Sequence, residues 1–110
     1  MAGMERTEYL HLADACLQRA TDWLEEFDPD EVDFAEADGV VTLQFADGGR
    51  FVLNRQAAAD QMWYAAGARA WHYDWDAERA GWFCDRDGHE LFANLAHTVS
   101  EKIGRSVSAG

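Results

Sequence analysis

The chain has 110 residues, of which 48% are apolar and 13% aromatic, with a single proline and nine glycines. That composition suits one compact domain over residues 1–110 and excludes both a disordered chain and a Pro/Gly-rich linker. The net charge of −12 excludes the usual electrostatic route to nucleic acid or an anionic membrane, because both are polyanions.

The charge is unevenly spread. Residues 1–38 carry twelve carboxylates against Arg6 and Arg19, whereas residues 39–110 carry nine against seven basic side chains. Cations, whether metal ions or a basic protein patch, are the partners such an asymmetry favours. Cys16 and Cys84 are far apart and lack C-x-x-C spacing, so a disulfide framework or structural zinc site is not expected; both read as small core residues. The opening residues, Met1 to Arg6, show neither an apolar leader core nor an Arg-rich transit pattern, and no stretch approaches a membrane span. The expected location is the reducing cytoplasm.

The first element is helical. Leu10, Ala13, Leu17, Ala20, Leu24 and Phe27 recur at spacings of three and four, with Tyr9, Cys16 and Trp23 widening the stripe. Glu8, Asp14, Gln18, Asp22 and Glu25 take the opposite face. Asp28-Pro29-Asp30 is expected to end the helix, since proline cannot continue it.

Five or six short strands follow. Val32–Asp38 alternates Val32, Phe34 and Glu36 against Asp33, Ala35 and Ala37, and Asp38-Gly39 is a hairpin signal. Val40–Phe45 turns Val41, Leu43 and Phe45 inward and Thr42 and Gln44 outward. After the Asp47-Gly48-Gly49 turn, Phe51–Gln56 places Phe51 and Leu53 inside and Val52, Asn54 and Gln56 outside. Gln61–Tyr64 turns Met62 and Tyr64 in, leaving Gln61 and Trp63 out. Trp71–Trp75 and Trp82–Asp85 form a last hairpin; Trp71, Tyr73, Trp75 and Trp82 read as core, and His72 and Asp74 face away, with His72 a weaker metal or partner contact. His89 and His97 read as surface residues. Asp87-x-x-Glu90 resembles a capping box opening a closing helix whose stripe is Leu91, Phe92, Leu95, Val99 and Ile103, with Gly104 as its stop.

Each helix has one apolar face and the sheet one inner face. The economical arrangement is an α+β two-layer sandwich: an antiparallel sheet with the amino- and carboxy-terminal helices on one side. The other sheet face, with Thr42, Gln44, Asn54, Gln56, Gln61 and Trp63, is left to water.

Asn54-Arg55-Gln56 followed by Gln61-x-Trp63, then His72-Tyr73-Asp74-Trp75 and Trp82-x-Cys84-Asp85-Arg86-x-Gly88, resembles the bacterial frataxin (CyaY) family. The order of elements and the acidic first helix resemble it too, over nearly the whole chain. Ala58, Thr21, Pro29, the longer Asp76–Gly81 turn and the short tail after Gly104 depart from the family pattern. The resemblance implies a frataxin-like sandwich that binds iron and serves iron–sulfur cluster assembly as an accessory or regulatory protein, not as an enzyme.

The metal ligands expected on this basis are Asp22, Glu25, Glu26, Asp28, Asp30, Glu31 and Asp33, an acidic ridge from the end of the first helix into the first strand. Spacings of three and four put Asp22 beside Glu25 and Glu26. Carboxylate oxygens are hard ligands suited to Fe²⁺, Fe³⁺, Ca²⁺, Mg²⁺ and Mn²⁺, and a shallow, water-shared, weak and reversible site is expected. His11 lies one turn from Glu8 and Asp14. Glu25, Glu26, Asp30 and Asp33 double as a docking face, which by resemblance meets a basic patch on the cysteine desulfurase. Asn54, Gln56, Gln61 and Trp63 form a second contact patch, by resemblance for the scaffold protein or the desulfurase–scaffold complex. No nucleic acid or membrane partner is expected, and the protein is expected to be a monomer, with oligomerisation on iron left open. No nucleophile–base arrangement, phosphate loop or H-x-x-x-H motif is present. Two alternatives stand beside this reading: weak ferroxidase or iron-storage activity at the ridge, and an acidic DNA mimic for a nucleic-acid-binding protein.

Overall fold

The computed structural model describes residues 4–109. Met1–Gly3, within the stretch considered above for a leader, and Gly110 lie outside the described residues. The elements in chain order are α1 (Arg6–Leu24), β1 (Val32–Ala37), β2 (Val40–Phe45), β3 (Arg50–Gln56), β4 (Gln61–Ala66), β5 (Arg69–Asp76), β6 (Gly81–Cys84) and α2 (Leu91–Ile103). A single 3-10 turn at Ala57–Ala59 joins β3 to β4. The six strands pair antiparallel with their sequence neighbours, in the order β1 to β6. Among the described residues no helix is long and apolar enough to cross a membrane.

Short turns enforce the meander. Asp38 and Gly39 both take positive φ, 54° and 79°, the twist that a tight hairpin between right-twisted strands requires. The Asp47 carboxylate accepts the Gly49 N–H at 2.8 Å to shape the next turn. Inward positions alternate as the pattern predicts: Val41, Leu43, Phe51, Leu53, Met62, Tyr64 and Tyr73 are buried against Tyr9, Leu17 and Leu24 of α1 and Leu91, Leu95 and Val99 of α2. The sandwich is therefore α+β with both helices on one face of a six-stranded sheet.

Several local details differ from the sequence expectation. Helix α1 stops at Leu24 with Glu25 as its C-cap, and the chain tightens through i→i−3 bonds from Glu26 to Trp23 and from Phe27 to Leu24. Pro29 has no N–H to offer the Glu25 carbonyl, so the last α-type bond is lost a turn before the proline itself. Phe27 nonetheless packs edge-on against Trp23, with centroids 5.0 Å apart. Strands β4 and β5 run two residues further, through Ala65, Ala66, Arg69 and Ala70, because each pairs with a full neighbouring strand. Glu36 shares the phase of Val32 but is exposed, since β1 is an edge strand. Glu90 itself is the N-cap of α2, accepting from Phe92 N at 2.8 Å and Ala93 N at 2.9 Å, whereas Asp87 accepts from His89 N at 3.1 Å. The expected capping box is thus a cap shifted by three residues.

Residues beyond α2 fold back along α1. The Trp23 indole N–H donates to the Ser108 carbonyl at 2.8 Å, and Val107 and Ala109 pack on the core. Arg55 lies on the helix side of β3 and reaches across to Asp14 at 2.5 Å. It covers Gly39, where a Cβ would stand 2.6 Å from the Arg55 Nε.

Candidate metal and docking surfaces

The ridge begins in the last turn of α1. Asp22 is exposed and accepts from the Gln18 amide at 2.8 Å. Glu25 caps the helix and Glu26 follows it, so both carboxylates stand beside a helix C-terminus with no basic residue in its last turn. Asp28 braces the following turn by accepting Asp30 N at 2.9 Å. Asp30 is exposed, and Asp33 stands on the outer side of β1 with an oxygen 2.8 Å from Phe34 N. Thr21 does not interrupt this surface: it is buried, and its hydroxyl donates to the Gln18 carbonyl at 3.0 Å.

Glu31 differs from the other six. Its carboxylate is gripped by Arg105 through two bonds of 2.6 and 3.1 Å. Those hydrogen bonds, and then the guanidinium charge, hold its pKa below the ordinary glutamate range. A metal at Glu31 must first displace Arg105. Among the described residues, Asp22, Glu25, Glu26, Asp28, Asp30 and Asp33 make no salt bridge. No three ridge carboxylates among the described residues bring their oxygens within 4.8 Å of one another. The ridge is therefore an open array of hard oxygen ligands, able to hold an ion through one or two carboxylates with water completing the shell. His11 is exposed on α1, about three turns before Asp22.

The outer sheet face is ordered by register. Asn54 pairs with Trp63 and Trp63 with His72 across β3, β4 and β5; Gln56 pairs with Gln61 and Gln61 with Asp74 in the next row. Trp63 is stacked on His72, with centroids 4.3 Å apart and planes 15° from parallel. Its indole N–H donates to Gln61 Oε1 at 2.9 Å, and the Gln61 amide donates in turn to Asp74 at 3.0 Å and Asp85 at 3.2 Å. His72 lies 3.9 Å from Asp85. The tryptophan predicted to be exposed is thus half-covered by its own neighbours and held in one orientation.

A third constellation escaped sequence reasoning. Cys84, Asp87 and His89 converge just beyond β6, and His89, expected to be a surface residue, is half-buried with its ring bonded at both nitrogens. The signal lay in Cys84-x-x-Asp87-Gly88-His89, three ligand types around one glycine turn.

An antiparallel meander covered on one side by two helices, with an open acidic edge and an amide-and-tryptophan face, defines a two-layer α+β module built to present surfaces rather than a deep cleft. The chain belongs to the frataxin family: residues 2–105 match the family described as Frataxin-like domain. It is 38% identical over 96 residues, covering 86% of this chain and 90% of the relative, to the iron-sulfur cluster assembly protein CyaY of Thioalkalivibrio sulfidiphilus. Among solved structures, frataxin from Psychromonas ingrahamii superposes with a TM-score of 0.87 at 27% identity, covering 97% of this chain and 99% of that one. Trimeric frataxin from Saccharomyces cerevisiae, complexed with ferrous iron, gives a TM-score of 0.73 at 26% identity, covering 96% and 91%.

Proposed function

We propose that this frataxin-family protein binds iron reversibly and regulates iron–sulfur cluster assembly in the cytoplasm, as an accessory protein rather than an enzyme. In this reading Glu25, Glu26, Asp30 and Asp33 dock on a cysteine desulfurase, and Asn54, Gln56, Gln61 and Trp63 contact the scaffold complex. The observation that carries it is the run of six carboxylates that make no salt bridge among the described residues, from the C-terminal end of α1 into β1. A helix end repels such charge, so the arrangement costs folding stability and is understandable where cations or a basic surface settle on it. The name of the Thioalkalivibrio relative and the ferrous complex of the yeast one support the same assignment. The trimeric state of that yeast relative makes oligomerisation on iron part of the proposal.

Physical consequences follow from the open geometry. Binding through one or two carboxylates and water is weak and tolerates Ca²⁺, Mg²⁺ and Mn²⁺ beside iron. Complementary charge speeds encounter with the desulfurase and makes it salt-sensitive. Iron and desulfurase then compete for the same oxygens. On the sheet face, Trp63 is already stacked and hydrogen-bonded, so little side-chain freedom is lost when a partner covers it.

The test is an NMR titration with Fe²⁺ under anaerobic conditions, and separately with the desulfurase. It compares the wild type with a variant carrying Glu25→Gln, Glu26→Gln, Asp30→Asn and Asp33→Asn. Both ligands are expected to move the same ridge amides in the wild type and to bind the variant more weakly. Unchanged affinity for both would defeat the proposal. Trp63→Ala is expected to leave the fold and iron binding intact while weakening the effect on cluster assembly.

A further inference from the structure

We propose that Cys84, Asp87 and His89 form a second metal site, suited to a zinc-class divalent ion and separate from the acidic ridge. The thiol sulfur, a carboxylate oxygen and an imidazole nitrogen lie within 4.8 Å of one another, the one such trio among the described residues. The turn that gathers them is closed by Gly88 N donating to the Cys84 carbonyl at 3.0 Å and Cys84 N donating to the His89 carbonyl at 2.8 Å. Gly88 provides the left-handed corner, φ 77°. Cys84 is thus anchored on a strand, and the other two ligands follow within five residues.

The imidazole is oriented as a metal-binding histidine is. Nδ1 stands 2.5 Å from Asp87, and Nε2 stands 2.7 Å from the Tyr73 hydroxyl, which also accepts from the Asn94 amide at 2.9 Å. Trp71 and Tyr73 meet the ring edge-on, at 6.1 and 5.3 Å between centroids. An outer partner on the nitrogen that does not ligate fixes tautomer and ring plane. Without metal, Nδ1–H donates to Asp87 and Tyr73 O–H donates to Nε2. With metal on Nδ1, the imidazole proton resides on Nε2 and donates to Tyr73. Sulfur ligates as the thiolate, so an ion settling here displaces the Cys84 thiol proton.

The donor set decides the ion. Sulfur and imidazole nitrogen favour zinc and its neighbours over Ca²⁺ or Mg²⁺, and three protein ligands leave a fourth position for water. Cys84 is buried yet borders an open surface depression with Asp85 and Gly88, which offers an approach from solvent. The strands β1 and β6 are opposite edges of the sheet, so five strand spacings, on the order of 24 Å, separate this trio from the β1 part of the ridge. Soft and hard cations would therefore be sorted to different edges of one molecule.

The experiment is titration of the full chain, reduced and anaerobic, with Co²⁺, reading the cobalt–thiolate charge-transfer absorption, followed by displacement with Zn²⁺. One equivalent is expected to develop the band and zinc to abolish it. His89→Gln and Asp87→Asn, with folding checked by circular dichroism, are expected to weaken binding at least tenfold. Tyr73→Phe, which only orients the ring, is expected to weaken it by roughly 10–100-fold. Cys16→Ser keeps the band, because Cys16 is buried on α1 with its thiol pushed up to about 12. The ridge variant keeps it as well. Absence of the band in the wild type, or wild-type affinity in both His89→Gln and Asp87→Asn, would overturn the site.

Discussion

Removing charge from the helix end should make this protein more stable. Consider Asp22→Asn, Glu25→Gln and Glu26→Gln together, leaving Asp28 to brace its turn and Glu31 to pair with Arg105. Asp22 lies in the last turn of α1 and Glu25 at its cap, with no basic residue in that turn. Each carboxylate there carries an unfavourable helix-dipole interaction of about 0.3–1 kcal/mol. The Asp22–Glu25 and Asp22–Glu26 spacings add about 0.2–0.5 kcal/mol of repulsion per pair. The combined relief is about 1–4 kcal/mol in low salt. For a chain of this length 1 kcal/mol corresponds to roughly 4 °C, so the midpoint should rise by about 4–16 °C. Thermal unfolding followed by circular dichroism, at low salt and again at 1 M, measures it. The gain should shrink at 1 M, where the screening length falls to about 3 Å. Added Fe²⁺ should stabilise the wild type more than the variant, because binding to the folded state shifts its equilibrium. A variant no more stable than wild type at low salt would refute the idea that the ridge is held against a folding cost.

Two further outcomes follow from titrating groups. Arg105 lowers the folded-state pKa of Glu31 below its ordinary 4.5, so the pair contributes stability above that value and loses it as pH falls through the lower folded one. Glu31→Gln should therefore unfold at a lower temperature than wild type at neutral pH, with the gap closing at and below about pH 4; a gap independent of pH would contradict the pairing. Burial raises the Tyr64 hydroxyl, whose oxygen lies 2.7 Å from Thr98, so its neutral form contributes stability below about pH 10 that is lost as pH climbs further. Tyr64→Phe should cost about 0.5–1.5 kcal/mol at neutral pH, because Thr98 keeps its bonds to the Asn94 and Leu95 carbonyls. Its stability should then fall less steeply than the wild type's in alkaline unfolding scans.

The layers and the ridge were legible because their signals are local. A three-and-four spacing from Tyr9 to Leu24 specifies which side of α1 is buried, and alternation through Val41, Leu43 and Phe45 specifies which side of β2 faces it. Asp38-Gly39 announces its own hairpin through the φ values it tolerates. Acidic crowding from Asp22 to Asp33 can be counted directly, and the outward phase of Asn54, Gln56, Gln61 and Trp63 follows from period two. The end of α1 was less legible, since Pro29 marks only where a helix cannot be and not where its last carbonyl loses a donor.

By itself, then, the amino-acid order determined the two layers, the side of each element that faces water, and where negative charge accumulates, because propensity, periodicity and turn chemistry act over a few residues. Only the tertiary structure decided which carboxylates remain open. Glu31 is taken by Arg105, 74 positions away, and Asp14 by Arg55, 41 positions away. Folding likewise brought the tail to Trp23, laid His72 over Trp63, and turned His89 from a surface residue into a partner of Tyr73 and Asp87. Such contacts join side chains distant along the chain, and their geometry exists only after the layers have packed.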